Sequence, residues 1–582
     1  MKTYIITIIL VFATASVLNA QYEGGNGKGD ASAQITSVHL SNWFETDGNW
    51  SLAGNWADGA LPVSGQDANI LADAVLDGNY DHTKLHIVSG GSVSIAPTKS
   101  LTISGTLTNE AGDAGLLVQS GAGGTGSLIV GGTASGNITF QRYLDVFTGA
   151  PKWHFVSTPV SGQAINTSFM TNNSIYTPNS GTNYEFFRWD EDQYYWIEFG
   201  SGGNPEAFTD TEFGAAKGYA TSRASNGVLT FKGGIVTNTT TFPATYTADK
   251  GVGFNLAGNP FTSAIGITST ATTTENFLAL NTALLNDSYE ALYIWDEQTN
   301  YTNWRNDYKV ISNAAIGGYT SINQHYIQPG QAFMVRVVSA GNLQFTTAMQ
   351  EHATDNFYKS KEMWPFAELI VTGNQTENST AIGFNENMTA GLDPSYDVAK
   401  MKGNPDLALY SALLQGSDLD FAIQALPDNN IEDIEIPIGV DISTTAGYTF
   451  SIYQEQLDNY SILLEDRQEG IITDLRWNNY SSTISESGMG RFYLSFKNAT
   501  GIEAPLNASK VNFTYANGII HITNPGHEVG IIQITDICGR QLFSKRINGN
   551  TEEQIGVIVP KGIYIARFSN NSIKRSIKLF VD

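Results

Sequence analysis

Apolar and polar residues alternate at every second position along much of this chain, with glycine and asparagine breaking the runs. The pattern is clearest in the last eighty residues, through Ile532 and Ile534, Ile563 and Ile565, and Ile577, Leu579 and Val581. A period of two marks half-buried strands, whereas an amphipathic helix needs a period near 3.6. Composition extends the inference to the whole chain. There are 58 glycines, abundant Thr, Ser and Asn, and 65 aromatics (29 Phe, 10 Trp, 26 Tyr), while runs rich in Lys, Glu and Ala are scarce. An all-β molecule follows.

Three features of the C-terminal segment occur together: a D-x-x-G-R step at Asp536, Gly539 and Arg540, a K-G-I-Y-I strand with Lys561, Gly562 and Tyr564, and a basic closing strand from Lys574 to Val581. This set resembles the type A C-terminal sorting domain of the type IX secretion system of Bacteroidetes-type bacteria. The resemblance implies an Ig-like β-sandwich over residues 505–582 that the secretion translocon and surface-attachment machinery engage. It also implies a protein secreted through the periplasm to the outer cell surface. The other end agrees: Lys2, an apolar stretch from Tyr4 to Ala13 and small residues up to Ala20 read as a signal peptide over residues 1–20. A second A-x-A option stands at Ala13 and Ala15. The apolar stretch is too short to span a bilayer, and no transmembrane span is expected in the mature chain.

Formal charge is 31 minus 56, or −25. From residue 501 onward nine Lys and Arg face six Asp and Glu, giving +3, so the remainder carries −28. Such a chain is a poor partner for nucleic acid or anionic lipid. A solvated acidic surface explains the charge, with Ca²⁺ attraction as the alternative and no other cofactor implied. The single cysteine, Cys538, excludes an intrachain disulfide.

Length and pattern divide the chain further. Residues 21–34 are a Gly-rich lead-in. Residues 35–145 hold Trp50 and Trp56 and then short apolar strands near Ala68–Leu71, Leu85–Val88, Ser92–Ile95, Leu101–Leu107, Leu116–Val118, Ser127–Val130 and Ile138–Phe140. Short strands turning on Gly and Asn suit a small parallel β-solenoid, with a sandwich as the alternative. Residues 146–350 read as a duplicated β-rich region, about 150–235 and 250–350. There His154–Pro159 matches Asn255–Pro260, and Phe187-Arg-Trp-Asp-Glu191 matches Tyr293-Ile-Trp-Asp-Glu297. At a shift of 114, Tyr219, Ser225, Gly227, Leu229 and Phe231 fall on Phe333, Ser339, Gly341, Leu343 and Phe345. Residues 362–498 carry further strand runs spaced for a β-sandwich.

Catalytic signatures are weak. Gly121–Gly126 satisfies G-x-G-x-x-G but leads into a strand rather than a helix, so it reads as a turn. His82 and His86 have a spacing that a metal could use, without an H-E-x-x-H motif, and no metal ligand set is assigned. Asp393 and Asp397 read as turn caps, with cation ligation as the alternative. With 56 acids, carboxylate pairs arise by number alone, so a polysaccharide hydrolase is the lesser alternative and no catalytic residue is named. Aromatics carry more: Trp189, Tyr195 and Trp196 beside Asp190, Glu191 and Asp192, and Trp295 and Trp304 in the second copy, could stack on sugar rings. The sequence therefore predicts a non-enzymatic surface protein, an adhesin, scaffold or ligand binder, with a glycan or matrix ligand as the specific alternative.

Overall fold

The computed structural model describes residues 42–147, 152–178, 183–200, 207–296, 307–314, 316, 325–353, 364–457, 460–498, 512–516, 519–523, 529–536, 540–549, 552–556, 562–569 and 574–581. The signal peptide expected over residues 1–20 and the lead-in over 21–34 lie outside them. Strands dominate, helices are single turns, and none is long and apolar enough to cross a membrane among the described residues. The chain divides into two compact units, one taking in residues up to Leu284 together with His325–Tyr358, the other Leu285–Gln324 together with Lys359–Asp582.

The first unit opens with a solenoid of three parallel ladders. Trp43–Phe44, Ala68–Ile70, Leu85–Ile87, Leu107–Asn109 and Ala134–Ser135 stack in one. Gly48–Asn49, Asp73–Leu76, Ser92–Ile95, Leu116–Val118 and Asn137–Leu144 stack in the second, and Tyr80–His82, Ser100–Ile103 and Ser127–Val130 in the third. In-register stacking sets Leu76, Ile95, Val118 and Phe140 in one buried column, each fully buried. One long strand had been expected over Leu101–Leu107; there are two, because the chain turns a corner at Gly105, where a Cβ would lie 2.8 Å from the Thr83 carbonyl oxygen. Phe44, Trp50 and Trp56 close the first coil, with ring centroids 5.0–6.2 Å apart and the Trp56 Nε1–H donating to the Trp50 carbonyl at 3.0 Å. At the other end, Asn137–Leu144 pairs antiparallel with Gly227–Ile235, so the solenoid wall runs on into the next region.

Two successive stretches of that region pass through similar elements. Strands His154–Val156 and Val160–Ser161 precede a helix at Thr167–Asn172; strands Phe254–Gly258 and Ala264–Gly266 precede a helix at Phe277–Asn281. Asn166 caps the first helix through the Phe169 N–H, and Asn276 caps the second through the Ala279 N–H, both at 2.9 Å. Just beyond the first helix, Asn173 donates to the Phe169 carbonyl and accepts from the Thr230 N–H at 2.6 Å. Asn281 does the same with Phe277 and with Gln344 at 2.7 Å. The stretches also exchange bonds reciprocally: Ser157 N–H donates to the Gly330 carbonyl and Gly258 N–H to the Ala216 carbonyl, while Val156 bridges Gln331 and Ala257 bridges Lys217.

The second unit holds the Leu292–Asp296 and Asp307–Ile311 hairpin and a sandwich-like body over 366–498. Its strands follow one hydrogen-bonded path rather than two separate antiparallel sheets, with a parallel step between Thr376–Phe384 and Phe421–Leu426. The path folds over on itself, bringing Phe450 within 4.7 Å of Phe492 and Phe384 within 5.1 Å of Phe496, ring centre to ring centre. The C-terminal segment forms a three-stranded and a four-stranded sheet that share a core of Ile520, Ile522, Ile532, Ile534, Ile547, Ile555, Tyr564, Ala566 and Phe568. Ile563 and Ile565, the alternation that marks this strand in the sequence, point outward, because Tyr564, Ala566 and Phe568 fill the core face.

Candidate functional site

Of the aromatic residues singled out, the structure brings Trp189 and Trp196 together. Trp189 and Trp196 stand directly opposite each other in the hairpin of Phe186–Asp190 and Tyr195–Glu198, with ring centroids 5.2 Å apart and planes 62° apart. Strand alternation sends Tyr195, paired with Asp190, to the other face. The Trp189–Trp196 face also carries Phe187, which meets Trp153 at 5.2 Å, and Phe155, which meets Trp196 at 5.6 Å. Trp153 stands in no motif and Phe155 only in the His154–Pro159 match; pairing through the Tyr219–Thr221 strand brings them here. Tyr194, 57% exposed at the hairpin tip, packs edge-on against Trp189. The Trp189 indole is pinned by its Nε1–H, which donates to the Phe254 carbonyl at 2.7 Å. Trp153, Phe187, Trp189 and Trp196 are each half-buried.

The acids expected beside these rings are engaged elsewhere. Asp190 pairs with Arg188 at 2.7 Å. Glu191, buried, accepts the N–H groups of Thr247 at 2.8 Å and Gly253 at 2.9 Å, while Asp192 accepts from the Thr247 hydroxyl. These carboxylates hold the 247–253 loop. Glu198, opposite Phe187, and Glu185 supply the acceptors on the aromatic face instead, with Asn183 donating to Glu198 at 3.0 Å. Burial, and then the Glu198 charge, raise the Glu185 carboxyl above its ordinary range.

The corresponding hairpin of the second unit differs. Trp295 lies opposite Tyr308, with ring centroids 5.1 Å apart, but Tyr293, in the place of Phe187, is fully buried and its hydroxyl donates to the Ala399 carbonyl at 2.9 Å. Trp304 lies outside the described residues.

The remaining candidates serve the fold. Gly121–Gly126 spans a hairpin of Ser120–Gly121 with Gly124–Thr125, not a helix start. His82 is buried against Trp50 in one ladder, and His86 lies in another, 3.1 Å from Glu110; the corner between them keeps the two rings from sharing a strand face. Asp397 accepts the N–H groups of Ala425 and Asp393 at 2.7 and 2.6 Å, and Asp393 accepts that of Thr389 at 2.6 Å. Among the described residues no three His, Cys, Asp or Glu side chains come together to hold a metal ion.

In the C-terminal sandwich Asp536 and Arg540 close the turn between Val529–Asp536 and Gln541–Asn548. The Arg540 N–H donates to Asp536 Oδ1 at 2.9 Å, and its guanidinium meets Oδ2 at 3.0 Å. Tyr564 lies in the core, and Gly562 opens its strand; Gly539, Lys561 and Cys538 lie outside the described residues.

A family model described as "Domain of unknown function (DUF8693)" matches residues 43–496. The chain belongs to this family. The DUF8693 match spans the solenoid, the middle region and the sandwich-like body together. A second model, "Secretion system C-terminal sorting domain", matches residues 516–582. No curated protein matches the chain. This DUF8693 protein is thus cargo joined to a type IX sorting domain, and it is exported to the outer cell surface.

Proposed function

We propose that the DUF8693 region acts outside the cell as a non-catalytic, adhesive or ligand-binding surface protein. The observation that supports this best is the half-buried aromatic face of Trp153, Phe187, Trp189 and Trp196. Its rings are held by packing and by the Trp189 hydrogen bond, so a ligand meets a preformed surface and orders little on binding. The reciprocal bonds and matched asparagine pairs favour descent of the middle region from one duplicated module. Surface attachment after export, adhesion and a cleaved leader over residues 1–20 belong to the same reading.

A glycan is the ligand class that this face favours. The apolar side of a pyranose stacks on indole, while hydroxyls find acceptors at Glu198 and Glu185. The second hairpin offers less, because Tyr293 is covered. The mature full chain, tested on glycan and matrix arrays with and without Ca²⁺, is expected to bind a restricted glycan set. Trp196→Ala should weaken that binding by roughly tenfold or more, as loss of a central aromatic contact does. Retention unchanged by Trp196→Ala and by Trp189→Ala would remove the aromatic face from the account.

A further inference from the structure

The sorting domain's signature residues and its exposed apolar residues fall in different places. Asp536 and Arg540 close a turn and Tyr564 fills the core, so these three hold the fold. The outward face of the four-stranded sheet is another matter. Val529 is 44% exposed, Ile531 44%, Ile563 42%, Ile565 41% and Leu542 38%. These are five of the seventeen large hydrophobic side chains exposed among the described residues, gathered on one small sheet. Solvated faces of antiparallel sheets are ordinarily polar, and exposed aliphatic side chains in neighbouring strands mark contact surfaces.

Register places them. Val529–Asp536 and Gly562–Ser569 run antiparallel, with Thr535 opposite Ile565, Gln533 opposite Arg567 and Ile531 opposite Ser569. On the other side Ile531 lies opposite Arg546 of the Gln541–Asn548 strand. Val529 and Ile531 therefore stand toward one end of the face and Ile563 and Ile565 toward the other, with Gln533 and Arg567 between them. Arg546 and Arg567 are exposed, and none of Val529, Ile531, Gln533, Thr535, Ser544, Ile563 or Ile565 is acidic. The basic balance of this face fits a segment at +3 attached to cargo at −28.

We propose that the secretion machinery reads the sorting domain on this outward face, through an apolar surface bordered by carboxylates. Val529, Ile531, Ile563 and Ile565 supply the apolar contacts, Arg546 a charge beside Ile531, and Arg567 a charge between the two apolar pairs. The occupant follows from the domain's match to a secretion-system sorting domain and from the sign of the charge. The turn and core residues of the signature act only by keeping the sheet folded.

The test uses the full chain in its secreting host. Ile563→Thr with Ile565→Thr, and separately Val529→Thr with Ile531→Thr, keep β-branched side chains and hence strand preference. Surface-exposed protein is measured together with protease resistance of residues 516–582 in the periplasmic fraction. Each pair is expected to lower surface protein at least about tenfold while the periplasmic domain stays resistant. Arg567→Glu should also lower it, and Arg567→Lys restore it, whereas Tyr564→Ala should lose resistance and export together. Wild-type export by both threonine pairs, or loss of export only in step with loss of resistance, would overturn the proposal.

Discussion

Glu368 shows how a single buried group sets a measurable trend. It sits in Phe366–Gly373, 3% exposed, and burial, opposed by a hydrogen bond from Ser379, pushes its carboxyl up to about 7. The folded-state value lies above the unfolded one, so the stabilising contribution is complete below the unfolded value and is lost as pH rises toward 7. Glu368→Gln should therefore stabilise the protein at pH 8 by on the order of 2 kcal/mol and have little effect near pH 4. Urea unfolding at the two pH values checks this; equal effects at both would refute it. Asp466 is the opposite case. Burial raises its carboxyl, but the Arg491 hydrogen bonds outweigh this and hold it low. Arg491 meets both of its oxygens at 2.7–3.1 Å and Tyr480 adds a bond at 2.7 Å. Removing this carboxylate by Asp466→Ala should cost about 3–5 kcal/mol in the same measurement, since it takes the bidentate partner from a guanidinium that is largely buried.

At the scale of elements, alternation and turn residues made much of the fold legible. Ser92–Ile95, Leu116–Val118 and Ser127–Val130 were readable to the residue, because each presents one apolar face between Gly, Asn or Asp breaks, whereas Leu407–Ser411, Ile471–Asp474 and Tyr480–Ile484 in the sandwich-like body were not read. Asp73–Leu76 and Tyr80–His82 gave no such signal, since Ala74 and His82 take inward positions that hold large aliphatic side chains in the other strands. The aromatic site was half legible. Trp189 and Trp196 stand out in sequence, but Trp153 and Phe155 come from a distant strand, and local spacing could not show that Glu191 closes a loop 56 residues away. Close backbone approach was hidden too. A Cβ on Gly258 would lie 2.3 Å from that of Ser157, so Gly258→Ala should cost about 1–3 kcal/mol by overpacking the reciprocal contact. Asn173→Ala and Asn281→Ala should each cost about 1–3 kcal/mol by leaving the Thr230 or Gln344 N–H without its acceptor. Thermal unfolding of the variants checks both; neutral substitutions would count against these contacts.

Across the whole molecule, the two units carry opposite buried titrations. In the first, His352 lies between the Thr102 and Ser127 hydroxyls at 2.8 and 2.7 Å, and burial lowers its imidazole to about 4. Burial lowers His154 to about 4 as well. Their folded-state values lie below the unfolded ones, so the stability they contribute is present above pH 6.5 and is lost as pH falls through 4. In the second unit Glu368 and Asp397, both pushed up to about 7 by burial, act in the reverse sense. Calorimetry between pH 7.5 and 4.5 should show the His352 contribution as a downward slope that His352→Gln flattens; an unchanged slope would contradict it. The export address binds these parts into one account, since the sorting domain delivers the acidic all-β cargo to the outer cell surface. Its central claim is tested most directly by fractionating secreting cells that make either the full chain or a chain ending at Asn498, with surface protease accessibility as the readout. The full chain should be accessible at the surface, and the shortened chain should stay folded in the periplasm. Equal surface exposure of the two would contradict the account.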